Sequence, residues 1–277
     1  MEKIPAIESL RELLERQLAR IEATEAGVRD GSDPRELHRF RVAGRRSRAL
    51  IRASRQLAGG QLARLDGELR WLGGLSGPVR DLDVLIAHLE EVVERLDPDR
   101  AGGEAILSGL RQERDWAREA LLEALDDDRF QTLLSVFRQS LASLEAVDHD
   151  VGLKQIARRE FKRLRAAYED LGPEPADDEL HAVRIKAKRL RYAAELAELA
   201  EGGTLGEVIE AATELQDLIG THQDAVVAER RVRALATRES LLAAGRIVEH
   251  ERSRRAEARR LLPQVWERAE GAANRAF

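Results

Sequence analysis

Apolar positions recur at helical spacing almost from the start of the chain. Leu10, Leu13, Leu14, Leu18 and Ile21 follow a first-turn proline at Pro5. The pattern stops at Gly31-Ser32-Asp33-Pro34, where Ser32 or Asp33 is expected to cap the next helix. That second helix is predicted to end near Gly59-Gly60, with shorter helices following at about 61–75 and 79–96. Beyond breaks at Asp97-Pro98 and Gly102-Gly103, one helix is predicted to about Asp126 and another from Arg129 to Ala146. Asp148–Gly152 is the best candidate boundary. After it come a helix to Leu171, a break at Gly172-Pro173-Glu174-Pro175 and a long helix from about Asp177. No stretch alternates with period two, so the predicted class is all-α.

The order of elements recurs because the sequence does. Glu36–Arg48 (ELHRFRVAGRRSR) aligns with Glu179–Arg191 (ELHAVRIKAKRLR) at an offset of 143 residues. Glu, Leu, His and three Arg positions are identical, and Arg45 matches Lys188. In the same register and without a gap, Leu72, Leu75, Gly77 and Asp81 fall on Leu215, Leu218, Gly220 and Asp224. Two motifs sharing one offset indicate a duplication, with repeats of 1–148 and 149–277.

The repeated helix carries the candidate chemistry. At about 100° per residue, Arg41, Arg45, Arg48 and Arg52 fall within roughly 80° of His38 on one side. Phe40, Ala43, Ser47, Leu50 and Ile51 lie opposite, where a core is expected. His181, Arg184, Lys188 and Arg191 repeat the basic stripe, with Val183, Ala187, Leu190 and Ala194 opposite. Arg46 and Arg189 flank the stripes, and Lys186 leans towards the apolar side. Like charges three or four residues apart repel, and Glu36 is the only acid between Arg35 and Arg55. Arg offers a permanently charged, planar fork of donors suited to phosphate oxygens. A row of them along about 15 Å of helix suits a linear polyphosphorylated ligand better than one small anion. Lys154, Arg158, Arg159, Lys162, Arg163 and Arg165 add to the basic surface in the second half. Asp81 and Asp224 are the candidate partners, each holding an Arg or capping a helix start. His38 and His181 head the stripes and are expected to donate hydrogen bonds to phosphate.

Composition bounds this reading. The net charge is −5 over 277 residues, so polyanion binding rests on local segregation of charge. Charged residues make up 35% and aromatics 4%, a composition of long helices. Cysteine is absent, which removes disulfides and thiolate metal sites and fits a cytoplasmic protein. The N-terminus has no signal-peptide apolar core, and no 18-residue apolar run is available to span a membrane.

H-x-x-R-x-x-x-[RK]-R-x-R thus occurs twice, each time followed by Leu-x-x-Leu-x-Gly-x-x-x-Asp. Over essentially the whole chain this resembles the CHAD family (conserved histidine α-helical domain). The resemblance implies two helical bundles related by pseudo-twofold symmetry around a basic cleft or pore, together one CHAD domain. It implies non-catalytic binding of inorganic polyphosphate and association with polyphosphate granules and their proteins. The implied ligand contacts are His38, Arg41, Arg45, Arg46 and Arg48, then His181, Arg184, Lys188, Arg189 and Arg191. Tyr192 follows the second stripe as is common in the family, whereas the first repeat has Ala49. Arg80-Asp81 becomes Gln223-Asp224, so a charge role of Arg80 is not shared.

Three other functions compete. CHAD domains are often fused to a triphosphate tunnel domain, but its E-x-E-x-K motif is missing, as are a P-loop and H-E-x-x-H. No metal or other cofactor is expected, and an accessory role beside a phosphate-processing enzyme stays open. His88 and His149 read as surface or capping residues, His250 as isolated, and His222 as having some claim to the site beside Gln223-Asp224. Binding of an RNA or DNA backbone is the second rival. Few aromatics interleave with the stripes to stack bases, which disfavours it. The third is a protein-docking module anchored by Trp71, Trp116 or Trp266, each of which is expected in a core.

Overall fold

A computed structural model describes residues 6–147, 152–201 and 203–277. Pro5, His149 and the candidate repeat boundary at 148/149 lie outside the described residues. All described elements are helices: α1 (Ala6–Asp30), α2 (Pro34–Ala53), α3 (Arg55–Ala58), α4 (Ala63–Val93), α5 (Arg100–Asp126), α6 (Asp128–Ala142), α7 (Leu153–Glu169), α8 (Asp177–Glu201), α9 (Gly206–Leu235) and α10 (Leu241–Ala276). The fold is all-α, as the periodicity requires.

The α1–α2 turn follows from its residues. Gly31 takes φ 75°, a conformation that only glycine adopts without strain, and its N–H returns to the Gly27 carbonyl. Asp33, not Ser32, caps α2 by accepting the Arg35 N–H at 2.9 Å, and Pro34 opens the helix. Asp127 caps α6 in the same way at 2.7 Å. Replacing Asp127 with Ala is expected to cost about 1 kcal/mol, read as a lowered midpoint in urea unfolding.

Several boundaries differ from the sequence expectation. α2 ends at Ala53, and only the short α3 carries the chain on to Gly59. α6 stops at Ala142 rather than Ala146. The two helices expected at 61–75 and 79–96 are one helix, α4, which runs through Pro78. An interior proline costs about 3 kcal/mol and breaks a bond to the residue four earlier. That residue, Gly74, is exposed, where water can serve its carbonyl. Burial of Leu65, Leu69, Leu72, Val79, Leu85 and Leu89 on both sides of the proline offsets the cost.

α4 can be long because it enters two cores. The larger core joins α1, α2, α6, α7 and α8 to the first turns of α4 and α9 and the last turns of α10. The smaller core joins the C-terminal part of α4 and the start of α5 to the second half of α9 and the start of α10. α1 packs on α2, α7 on α8, α4 on α5 and α9 on α10, while α2 also packs on α8. α2 and α8 start at residues 34 and 177, and α4 and α9 at 63 and 206, both pairs in the 143-residue register.

Candidate functional site

The two-faced reading of the repeated helix describes α2 and α8 well. Phe40, Ala43, Ser47, Leu50 and Ile51 are buried, as are Val183, Ala187, Leu190 and Ala194. Arg41, Arg45, Arg48 and Arg52 remain on the accessible side. Because α2 packs on α8, the two stripes meet along the seam between them. Arg46 crosses it to donate to Glu195 at 2.6 Å. Arg45 lies within electrostatic reach of Tyr192 and Arg191 of α8. Lys188 faces Arg45 and Arg41 from α2 as well as Arg184 and Arg191 from its own helix.

This crowding leaves a mark on the ionisable groups. Burial takes Lys188 from the ordinary lysine value of 10.5 down to about 7, assisted by the four surrounding arginines. Arg45 keeps much of its surface in solvent, yet desolvation of its seam side and the neighbouring Arg41 and Arg191 lower it, with Tyr192 acting in the opposite direction. His38 is lowered by burial first and then by Arg80, Arg45 and Arg41, which puts Arg80 beside the head of the first stripe. Among the described residues, no carboxylate lies within 4 Å of Arg45 or Lys188. Their charge is therefore held together by the fold and left without a counter-charge.

Around that centre, carboxylates position the remaining cations. Asp81 holds Arg41 through two bonds, of 2.6 and 3.3 Å. Gly77 lies against this guanidinium, where a Cβ would sit in ordinary contact 3.8 Å from Arg41 Nη2. In the second repeat Gly220 lies against Arg184 in the same way, with a Cβ 3.4 Å from its Nε and Nη2. Arg184 donates to the Gln216 carbonyl at 3.3 Å and acts electrostatically on Asp224. Burial raises the Asp224 carboxyl, against the pull of Arg184 and Arg254. The expectation that Asp81 or Asp224 could cap a helix is corrected, since both lie inside long helices.

Two acids that sequence reasoning missed also belong to the seam. Asp66 on α4 accepts from Arg48 at 2.9 Å and lies 3.7 Å from Arg52 and 3.1 Å from Arg70. Burial pushes Asp66 up, but these arginines outweigh it and hold the carboxyl below its ordinary value. Glu195 gathers Arg46 and, at 3.7 Å, Arg191. The only advance signal for Glu195 is its position four residues after Arg191 on one helix.

The other candidates are more dispersed. Arg189 is exposed, Lys186 and His181 are half-buried, and Tyr192 is buried with the Arg191 guanidinium 4.6 Å from its ring centre. On α7, Arg159 bonds Gln56, Arg163 pairs with Glu160 and Arg165 with Glu270, while Arg158 and Lys162 are exposed and Lys154 is half-buried. His222 is buried, accepts from Arg259 at 3.1 Å and lies 3.4 Å from Asp177, in a network away from Arg45 and Lys188. His88 is not a surface or capping residue: it bonds Glu251. Trp266 is buried and stacks on Tyr168, and Trp71 lies under Arg129. Trp116 corrects the core expectation, being 59% exposed on the outer side of α5.

Fold and seam define an all-helical protein in which two register-matched helices join their cations along one contact. The CHAD domain family matches residues 12–233, and the chain belongs to it. The uncharacterized proteins MT2285 and Rv2226 of Mycobacterium tuberculosis are 30% identical over 210 residues, which is 71% of this chain and 39% of theirs. The chain thus spans well under half the length of these relatives. Among solved structures, PptA from Streptomyces chartreusis superposes with a TM-score of 0.80 at 20% identity, covering 95% of this chain and all of that one. The CHAD domain of the plant Ricinus communis gives 0.71 at 24% identity, with 98% and 92% covered. At these identities the likeness is one of fold. No described helix is long and apolar enough to cross a membrane.

Proposed function

We propose that this CHAD domain binds inorganic polyphosphate without transforming it, along the α2–α8 seam. The observation that carries this reading is the meeting of Arg45 and Lys188 with no carboxylate beside either. Holding like charges together costs free energy that a polyanion returns on binding, and the rigid helices spare it the cost of ordering the site. The ligand contacts are His38, Arg41, Arg45, Arg46, Arg48 and Arg52 from α2, with His181, Arg184, Lys188, Arg189 and Arg191 from α8. Arg80, Lys186 and Tyr192 stand at the margins, and the basic side chains of α7 extend the surface. The 143-residue register of α2 with α8 and of α4 with α9 supports two repeats, 1–148 and 149–277, related by a pseudo-twofold axis.

Non-catalytic binding is favoured because the seam chiefly supplies positive charge and its ion-paired carboxylates are already committed. Asp66, Asp81 and Glu195 are all engaged by arginine. Lys188 is recharged when an anion arrives, so it too loses its lone pair. Such a module would hold a carrier protein at polyphosphate granules in the cytoplasm or serve a phosphate-processing enzyme.

Calorimetric titration with polyphosphates of graded length tests the reading. Affinity is expected to rise with length until the chain fills the seam, then level off per binding site. Long-chain polyphosphate should also survive competition by RNA or duplex DNA at equal phosphate concentration. Displacement at parity would replace this reading with general nucleic-acid backbone binding.

A further inference from the structure

The fold assembles a second group of ligand-type side chains by bringing His88 to the adjacent pair His250-Glu251. His88 on α4 and His250 and Glu251 on α10 each bring one donor atom within 4.8 Å of the other two. The imidazole rings are stacked, with centroids 6.0 Å apart. Glu251 is fully enclosed, and its Oε1 is 2.6 Å from His88 Nε2. Its Oε2 accepts from Arg254 at 2.7 Å.

One contact in this group is chemically inconsistent. His88 Nε2 also lies 2.8 Å from Arg254 Nη1. A nitrogen bearing a proton can donate to Glu251 but then faces an N–H of Arg254. Without the proton it can accept from Arg254 but then opposes the carboxylate oxygen, lone pair to lone pair. Either tautomer leaves one of the two contacts repulsive. A divalent cation removes the conflict, because it takes the lone pairs of both His88 and Glu251. Arg254 is the side chain that must yield, and at 28% exposure it has solvent to turn into.

We propose that His88, His250 and Glu251 form a binding site for a divalent transition-metal ion of the zinc class. Two imidazoles and one carboxylate suit Zn²⁺, whereas Mg²⁺ and Ca²⁺ prefer all-oxygen shells. Three protein ligands leave one position for water. The ion would tie α4 to α10 across the smaller core, so it would act as a clip between elements from the two halves of the chain. Asp224 lies within electrostatic reach of His88 and Arg254, which puts the clip beside the second repeat's Gly220–Asp224 segment. The proposal does not depend on polyphosphate binding.

The test uses the untagged full chain, stripped with chelator and titrated with Zn²⁺ by calorimetry and with Co²⁺ by visible absorption. One equivalent is expected to bind, to raise the Tm, and with Co²⁺ to give the intense d–d bands of a four-coordinate site. His250→Ala keeps the bonds of Glu251 to His88 and Arg254, so the fold is preserved. It is expected to weaken Zn²⁺ at least tenfold and to abolish the four-coordinate spectrum. Absence of stoichiometric binding to the wild type overturns the proposal, as does equal affinity in His250→Ala or a cobalt spectrum of the six-coordinate aquo type.

Discussion

Replacing Arg45 and Lys188 together by Ala is expected to lower polyphosphate affinity by about 10²- to 10⁴-fold while leaving the protein at least as thermally stable as the wild type. The affinity estimate takes about 1.5–3 kcal/mol for each charge-assisted bond lost and 1.4 kcal/mol per tenfold. The stability half of the expectation comes from the seam itself. Neither side chain has a carboxylate partner within 4 Å among the described residues, and Arg45 disfavours the charge of Lys188. Truncating both therefore removes repulsion and desolvation from the free protein, and little else. A residue kept for packing would behave in the opposite way, losing stability first. The two single variants should together cost less than the double in free energy. Removing Arg45 lifts a charge that depresses Lys188, so the remaining lysine is more fully charged and binds better than before. The dependence of affinity on salt should also flatten in the double variant, because fewer counterions are released. Wild-type affinity in the double variant would remove the seam as the site.

How far the sequence alone reaches can be judged from particular residues. The division of α2 into Phe40, Leu50 and Ile51 on one side and Arg41, Arg45 and Arg48 on the other is legible because helical periodicity is local. Gly77 and Gly220 are legible as matched positions, whereas their neighbours, Arg41 and Arg184 from other helices, are not. Asp66 and Glu195 escaped notice because ion pairing across a helix contact has no sequence spacing. Arg46 and Glu195 are 149 residues apart. His88 and Glu251 are 163 apart, so their approach leaves no ligand spacing in the sequence. Pro78 misled in the other direction. A Gly-rich stretch ending in proline is a sound local break signal, and it was overridden by burial on both flanks that only the tertiary structure supplies.

Polyphosphate affinity is expected to fall as the pH rises above 7, and the fall should disappear in Lys188→Arg. In the free protein Lys188 titrates at about 7, because burial and four arginines disfavour its charge. A bound polyanion favours that charge, so the pKa in the complex lies higher. The sign then follows from linkage. Below pH 7 the lysine is already protonated and contributes fully; as pH rises from 7 towards the pKa of the complex, binding must take up a proton, and the affinity loses up to tenfold per pH unit. Arg at this position keeps its charge throughout and should give a flat profile over the same window. His38 titrates lower, being depressed by burial and by Arg80, Arg45 and Arg41, so any gain in affinity on acidification below its range is its own and should persist in Lys188→Arg. Stability without ligand should run the other way. A lysine with a folded value of about 7 against an ordinary 10.5 penalises the folded state while charged, so the free protein should gain in Tm as pH rises from 7 towards 10.5. Calorimetry at pH 8 in two buffers of different ionisation enthalpy counts the protons directly. Uptake approaching one proton per bound chain is expected for the wild type and almost none for Lys188→Arg. Equal proton counts in the two proteins would mean that Lys188 does not meet the ligand.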